Sequence, residues 1–251
     1  MKSFLLTLLL FSTVCSAQQT APASTAAQKL EQWKQSRATL YMNDFGELGR
    51  YREANRALAA PAANEGRVVF FGDSITDGWK IAQWFPGKPY VNRGISGQTT
   101  SQMLVRFRQD VLDLHPKAVV ILAGTNDIAG NTGPITLDDI EANLASMAQL
   151  ARANHIAVVM SSVTPVNDYT ERSQDFFATR PPAKIVELNR WMKDYCAKNG
   201  YVYLDYFAAM VNKDGLLKRE LAEDGLHPND AGYALMVPMA SAAIEKALST
   251  R

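Results

Sequence analysis

The stretch Val68-Val69-Phe70-Phe71-Gly72-Asp73-Ser74-Ile75-Thr76-Asp77 drops a lone serine onto the end of an apolar run. A short apolar run without alternation suits a strand covered on both faces, and the small polar residues that follow it suit a turn into a helix. The pattern recurs outward from this point. Strands are expected at 67–71, 89–92, 117–123, 156–162 and 201–205, with helices at about 99–113, 137–153, 183–198 and 229–248 between and after them. Buried strands joined by helices predict a parallel sheet with helices on both sides, so residues 66–251 read as one three-layer α/β domain.

The residues before that domain carry other information. Lys2, the apolar block Phe4 to Phe11 and the small residues Cys15-Ser16-Ala17 predict a secretory signal peptide over 1–17, hence export to the periplasm or beyond. That block falls far short of the roughly 20 apolar residues a membrane span needs, so no stable membrane insertion is expected. Cys15 raises the question of lipidation, but Val14 stands where a glycine or alanine would be expected. Residues 18–28, small and polar, read as a disordered linker. Over 29–65, Trp33, Leu40, Tyr41, Phe45, Leu48, Tyr51 and Leu58 recur at mostly helical spacings interrupted near Gly46, which predicts a helical extension of one or two helices.

The full chain holds 26 basic and 25 acidic residues. Loss of 1–17 removes only Lys2 from that balance and brings the net charge to zero, which argues against nucleic acid or an anionic membrane surface as a partner. Cys196 is then the one cysteine left, so an intramolecular disulfide is excluded. The 47% hydrophobic content suffices for a full core without metal or disulfide staples.

In open α/β sheets, ligands bind beyond the carboxyl ends of the strands. Four polar clusters are expected on that rim: Gly72-Asp73-Ser74, Asn92-Arg93-Gly94-Ile95-Ser96-Gly97, Gly124-Thr125-Asn126-Asp127 and Asp224-Gly225-Leu226-His227-Pro228. His115 and His155 precede strands and fall on the opposite rim, which leaves His227. An acid three residues earlier, Asp224, can fold back onto the imidazole Nδ1–H and hold its tautomer. Taken alone, Asp224 is equally a turn cap and Ser74 a helix N-cap. Their coincidence with oxyanion donors favours chemistry: the Ser74 N–H at a helix start, the Gly94 N–H and the Asn126 amide.

Other chemistries fit poorly. The lipase elbow G-x-S-x-G is absent because Thr76 closes the motif, and neither a dinucleotide fingerprint nor a phosphate-loop lysine follows a strand. No residue set has metal-ligand spacing, and no cofactor is implied. Trp79, Trp84, Phe85 and Tyr169 fall in loops near the rim, and Trp79 and Tyr169 are candidates to wall a substrate pocket, with core packing the competing reading. Arg93 and Arg106 could meet an anionic group but read as solvated, while Asp73 and Asp127 read as turn caps.

Together the four blocks GDSIT, NRGISG, GTND and DGLHP resemble the SGNH, or GDSL, hydrolase family over most of residues 67–235. The resemblance implies a flavodoxin-like five-stranded parallel sheet with Ser74 as nucleophile, His227 as base and Asp224 as its partner. It also implies an oxyanion hole of the Ser74 and Gly94 N–H groups with the Asn126 side chain. The flanking sequence looks most like bacterial lysophospholipases and platelet-activating-factor acetylhydrolase-like esterases. The implied activity is hydrolysis of short-chain, acetyl-type esters through an acyl-enzyme, on a small-molecule, carbohydrate or lipid ester. A lysophospholipase or thioesterase, or an acyltransferase to a sugar hydroxyl, stands as the alternative.

Overall fold

A computed structural model describes residues 25–250. The strands are β1 (Val68–Gly72), β2 (Tyr90–Gly94), β3 (Ala118–Leu122), β4 (Ala157–Ser161) and β5 (Val202–Leu204). The α-helices are α1 (Ala26–Asn43), α2 (Arg52–Ala57), α3 (Ser74–Asp77), α4 (Ile81–Trp84), α5 (Thr100–Asp110), α6 (Thr125–Ile128) and α7 (Leu137–Ala153). They continue with α8 (Glu171–Thr179), α9 (Pro182–Asn199), α10 (Tyr206–Met210) and α11 (Asp230–Ser249). All five strands pair in parallel in the order β2-β1-β3-β4-β5. The α/β architecture is therefore the one the apolar runs predict.

The strands are apolar throughout because both faces are covered. Val69, Phe71, Val119, Ile121, Val158 and Met160 point into one layer with α5, α7 and α9, where Phe107, Leu144, Met147 and Leu188 are fully buried. Val68, Phe70, Val120, Leu122, Val159 and Leu204 point the other way, onto Tyr206 of α10 and onto Met236, Ala240 and Ile244 of α11. Alternate residues of one strand thus enter different cores, as the two-residue side-chain period dictates.

The N-terminal region differs from expectation at its start. Thr25 and Gln28 form a reciprocal capping box, with the Thr25 N–H donating to Gln28 Oε1 at 2.7 Å and the Gln28 N–H to Thr25 Oγ1 at 3.3 Å. The helix therefore begins at Ala26, inside the segment expected to be linker, because a Thr-x-x-Gln pair supplies the orphan donors of a first turn. Residues 1–17 and 18–24 lie outside the described residues. Within α1, Ala26, Leu30, Trp33, Arg37 and Leu40 are half-buried at three- and four-residue spacings, so one stripe of an otherwise polar helix faces the domain. Lys29 reaches Asp175 of α8 at 2.6 Å.

Helix α8, ERSQDFFAT, was not expected: its apolar residues are confined to the adjacent Phe176 and Phe177, which makes no helical period. Its start is set by Thr170, which accepts from the Ser173 N–H at 3.1 Å. Among the described residues no helix is long and apolar enough to cross a membrane. Cys196 is free and buried on α9.

Candidate active site

The turn after β1 resolves the competing readings of Ser74. Asp73 is the N-cap of α3, its Oδ1 accepting the Ile75 N–H at 3.0 Å. Ser74 is the first helical residue, so its hydroxyl has no capping duty. That hydroxyl lies 2.9 Å from His227 Nε2. Asp224 Oδ2 lies 2.8 Å from His227 Nδ1, and Asp224 Oδ1 accepts the backbone N–H groups of Leu226 at 3.1 Å and His227 at 2.8 Å. The carboxylate thus holds both the imidazole and the chain that carries it.

Burial alone would disfavour the Asp224 charge. Hydrogen bonds from the His227 ring and backbone, its positive field and the Leu226 N–H overcome that penalty and hold the carboxyl well below the usual range. Arg172 approaches at 3.7 Å but is 74% exposed, so solvent screens most of its influence. The edge of Phe176 packs against the His227 ring, with centroids 5.6 Å apart.

Asn126, on α6 just past β3, is 3% exposed. Its Nδ2 donates to the Gln98 carbonyl at 3.1 Å, and its Oδ1 accepts from Arg180 Nη2 at 3.1 Å. Arg180, the C-cap of α8, is itself 5% exposed. Its Nε donates to Thr125 Oγ1 at 3.1 Å and its Nη1 to Thr179 Oγ1 at 3.0 Å. Burial lowers its pKa to about 10, against the pull of Asp73 and Asp224, so it remains a cation at neutral pH. Sequence reasoning missed it, since its neighbours in the chain carry no motif.

Gly94 is not where the oxyanion reading requires it. Its N–H donates to Asn92 Oδ1 at 2.8 Å, and a Cβ there would lie 2.1 Å from the Asp77 nitrogen. Gly94 is a glycine because α3 packs directly on its backbone. Gly97, three residues on, lines the cavity beside Ser74, Asn126 and His227. It sits at φ +82°, and among the described residues neither its N–H nor that of Ser74 has an acceptor. Two glycines in one short block gave no sequence signal of which would face the site.

The aromatic candidates are also displaced. Trp79 is 2% exposed, stacked on Tyr233 at 5.4 Å and set edge-on to Phe70; it is core. Phe85 and Trp84 pack in the same layer. Tyr169 does not line the cavity, its hydroxyl accepting from Asn212 Nδ2 at 2.7 Å and its ring lying under Arg219. The walls come instead from Leu30 and Trp33 of α1 and Phe176 of α8, around a cavity of about 570 Å³. Arg93 and Arg106, read as solvated, are buried. Arg106 pairs with Asp110 at 3.0 Å and donates to the carbonyls of Gly72 and Arg93, while Arg93 Nε donates to Asn55 Oδ1 at 2.7 Å. Both bind the chain to itself.

The comparisons with known proteins bear on this rim. The model of the GDSL-like lipase/acylhydrolase family matches residues 70–235. The chain belongs to that family. It is a carboxylic ester hydrolase on a three-layer α/β frame, and α1 and α2 precede the matched segment. Among solved structures, one named an acylhydrolase from Bacteroides fragilis is 41% identical, with a TM-score of 0.76 over 82% of this chain and 99% of that one. A GDSL-like lipase from Bacteroides thetaiotaomicron is 43% identical, with a TM-score of 0.75 over 81% and 100%. The uncharacterized lipoprotein YqeF of Bacillus subtilis is 30% identical over 165 residues, 55% of this chain and 68% of that protein. Among the described residues no group of three or more His, Cys, Asp or Glu side chains is placed to hold a metal ion.

The enzyme carries a cost next to its serine. Asp73 is fully buried and its Oδ2 has no hydrogen-bond partner among the described residues, so burial pushes its carboxyl up to about 6 despite the Ile75 N–H and the fields of His227 and Arg180. Asp127, which accepts from the Thr100 N–H at 3.0 Å, is likewise raised by burial to about 6. An acid with a raised folded pKa holds a proton that the unfolded chain has already lost. Stability should therefore fall as pH rises from about 4 to 6, by on the order of 2–3 kcal/mol for each carboxyl. Asp224 shifts the other way and titrates below this window. Urea unfolding at pH 4 and pH 7 should show a smaller drop for Asp73→Asn than for wild type, and an equal drop would refute the assignment.

Proposed function

We propose that the enzyme hydrolyses short-chain esters of the acetyl class through an acyl-Ser74 intermediate. The observation that carries this reading is the continuous chain from the Ser74 hydroxyl through His227 to Asp224, at 2.9 and 2.8 Å, opening on the cavity. His227 Nε2 takes the hydroxyl proton as Ser74 Oγ attacks the ester carbonyl. Asp224 fixes the tautomer and stabilises the imidazolium that results. The oxyanion is met by the Ser74 N–H, the Gly97 N–H and the Asn126 Nδ2–H, donors on three residues that line the same cavity. His227 returns the proton to the departing alkoxide, which leaves as the alcohol; water, giving its proton to His227, then attacks the acyl carbonyl, and Ser74 Oγ departs with that proton as the carboxylic acid is released.

A short acyl group is supported by Phe176, whose ring edge packs on the His227 ring with centroids 5.6 Å apart and so occupies space next to the imidazole that holds the Ser74 hydroxyl. On p-nitrophenyl esters from C2 to C16, kcat/KM should be highest at C2 and fall as the chain lengthens; a maximum at C8 or beyond would overturn the acetyl assignment. Export belongs to the same proposal, supported by the signal-like residues 1–17 and by the lipoprotein relative; cell fractionation tests it.

A further inference from the structure

Helix α1 lies outside the segment that matches the family, yet it supplies a wall of the cavity that holds Ser74. Leu30, Trp33 and Lys29 line that cavity together with Phe176 and Asp175 of α8. Two contacts fix the helix over the site. Lys29 Nζ meets Asp175 Oδ2 at 2.6 Å, and the Trp33 ring rests against the Gly97 backbone, so close that even a methyl group on Gly97 would collide with it. Arg37, whose guanidinium lies 5.9 Å from the centre of the Trp33 ring, is anchored in turn by Glu47 at 2.7 Å. The ring is thereby held beside the donors proposed for the oxyanion.

The cavity, at about 570 Å³, is far larger than an acetyl group, so most of it is left for the alcohol of the ester. Its lining mixes two kinds of surface. Trp33, Leu30 and Phe176 are apolar and broad; Lys29, Asp175 and Ser96 bring donors and acceptors to the same space. A long acyl chain in that space would strip water from the Lys29–Asp175 pair and return no hydrogen bond, which is unfavourable. A ring with a C–H face and a rim of hydroxyls matches both surfaces, since the face can lie on an aromatic side chain while the rim exchanges hydrogen bonds.

We infer that α1 and α8 form a leaving-group subsite for a hydroxyl-rich ring, with Trp33 as its platform, so that the substrate is an acetylated sugar. This rests on the serine-esterase reading above and narrows it. Trp33 acts on selectivity, because it touches the alcohol and not the reacting carbonyl.

The test uses the full chain and two acetate esters, a mono-acetylated methyl xyloside and ethyl acetate, whose alcohols differ in having or lacking a ring. Wild type should favour the xyloside ester in kcat/KM, and Trp33→Ala should lower that preference by about tenfold or more, chiefly through KM. Trp33→Phe should recover part of the loss. Because α1 has no fully buried residue, both variants should fold, which circular dichroism checks. An unchanged preference in Trp33→Ala, or a wild type that prefers ethyl acetate to the sugar ester, overturns the subsite. Ser74→Ala separates the two levels: if it keeps hydrolysing ethyl acetate, the serine mechanism fails, whereas if it is inactive and the preference in Trp33→Ala is unmoved, the subsite alone fails.

Discussion

Replacing Ser74 with alanine should lower kcat for p-nitrophenyl acetate by about four to six orders of magnitude while leaving the melting temperature within a few degrees of wild type. The two halves of that expectation have separate causes. Activity collapses because, among the described residues, no other hydroxyl is placed against His227 Nε2; the contact at 2.9 Å belongs to Ser74. Stability holds because Asp73, not Ser74, caps α3, so the deletion removes one partly exposed oxygen and no helix-terminal hydrogen bond. A serine whose main duty was structural would behave in the opposite way, losing of the order of 1 kcal/mol and little rate. Retention of the wild-type rate by a well-folded Ser74→Ala protein would end the nucleophile assignment.

How much of this was legible beforehand follows from the range over which each signal acts. Strand runs such as Val68 to Phe71 and Ala118 to Leu122 are local, and their unbroken apolarity states that both faces are buried before any partner is known. The rim residues are nearly as local. Ser74 follows β1, Asn126 follows β3, and Asp224 lies three residues before His227, so strand order alone collects them at one end of the sheet. Gly97 in place of Gly94 could not be read in this way. Choosing between them depends on α3 pressing on the Gly94 backbone and on Asn92 claiming its N–H, both of which are tertiary facts. Trp33 and Phe176 were hidden for a related reason. They reach the site from helices whose own sequences carry little apolar signal, a thin stripe in α1 and one adjacent pair in α8, whereas Trp79 and Tyr169 sit close to the motifs in sequence and are turned elsewhere by packing on Tyr233 and by a bond to Asn212.

The buried Arg180 leads to the second large effect. An amide side chain presents either its nitrogen or its oxygen to a ligand, and an oxygen facing a developing oxyanion would repel it. Here the Asn126 oxygen is held by Arg180 Nη2 at 3.1 Å, and the guanidinium is locked by Thr125 and Thr179 and packed 5.4 Å from the Phe176 ring centre. The amide nitrogen must then point away from Arg180, where it donates to the Gln98 carbonyl, on a side chain that lines the cavity. Arg180 is on this argument a positioning residue, working through Asn126 without touching substrate. Arg180→Met, which keeps the length and removes the donors, should reduce kcat by about a hundredfold with KM changed no more than about threefold, close to the loss expected for Asn126→Ala itself. A double-mutant cycle tells positioning from general support of the fold. In the Asn126→Ala background the arginine substitution should cost less than about threefold, because the group it aims is gone. If the two losses multiply instead, Arg180 acts on the reaction by another route and the amide does not depend on it.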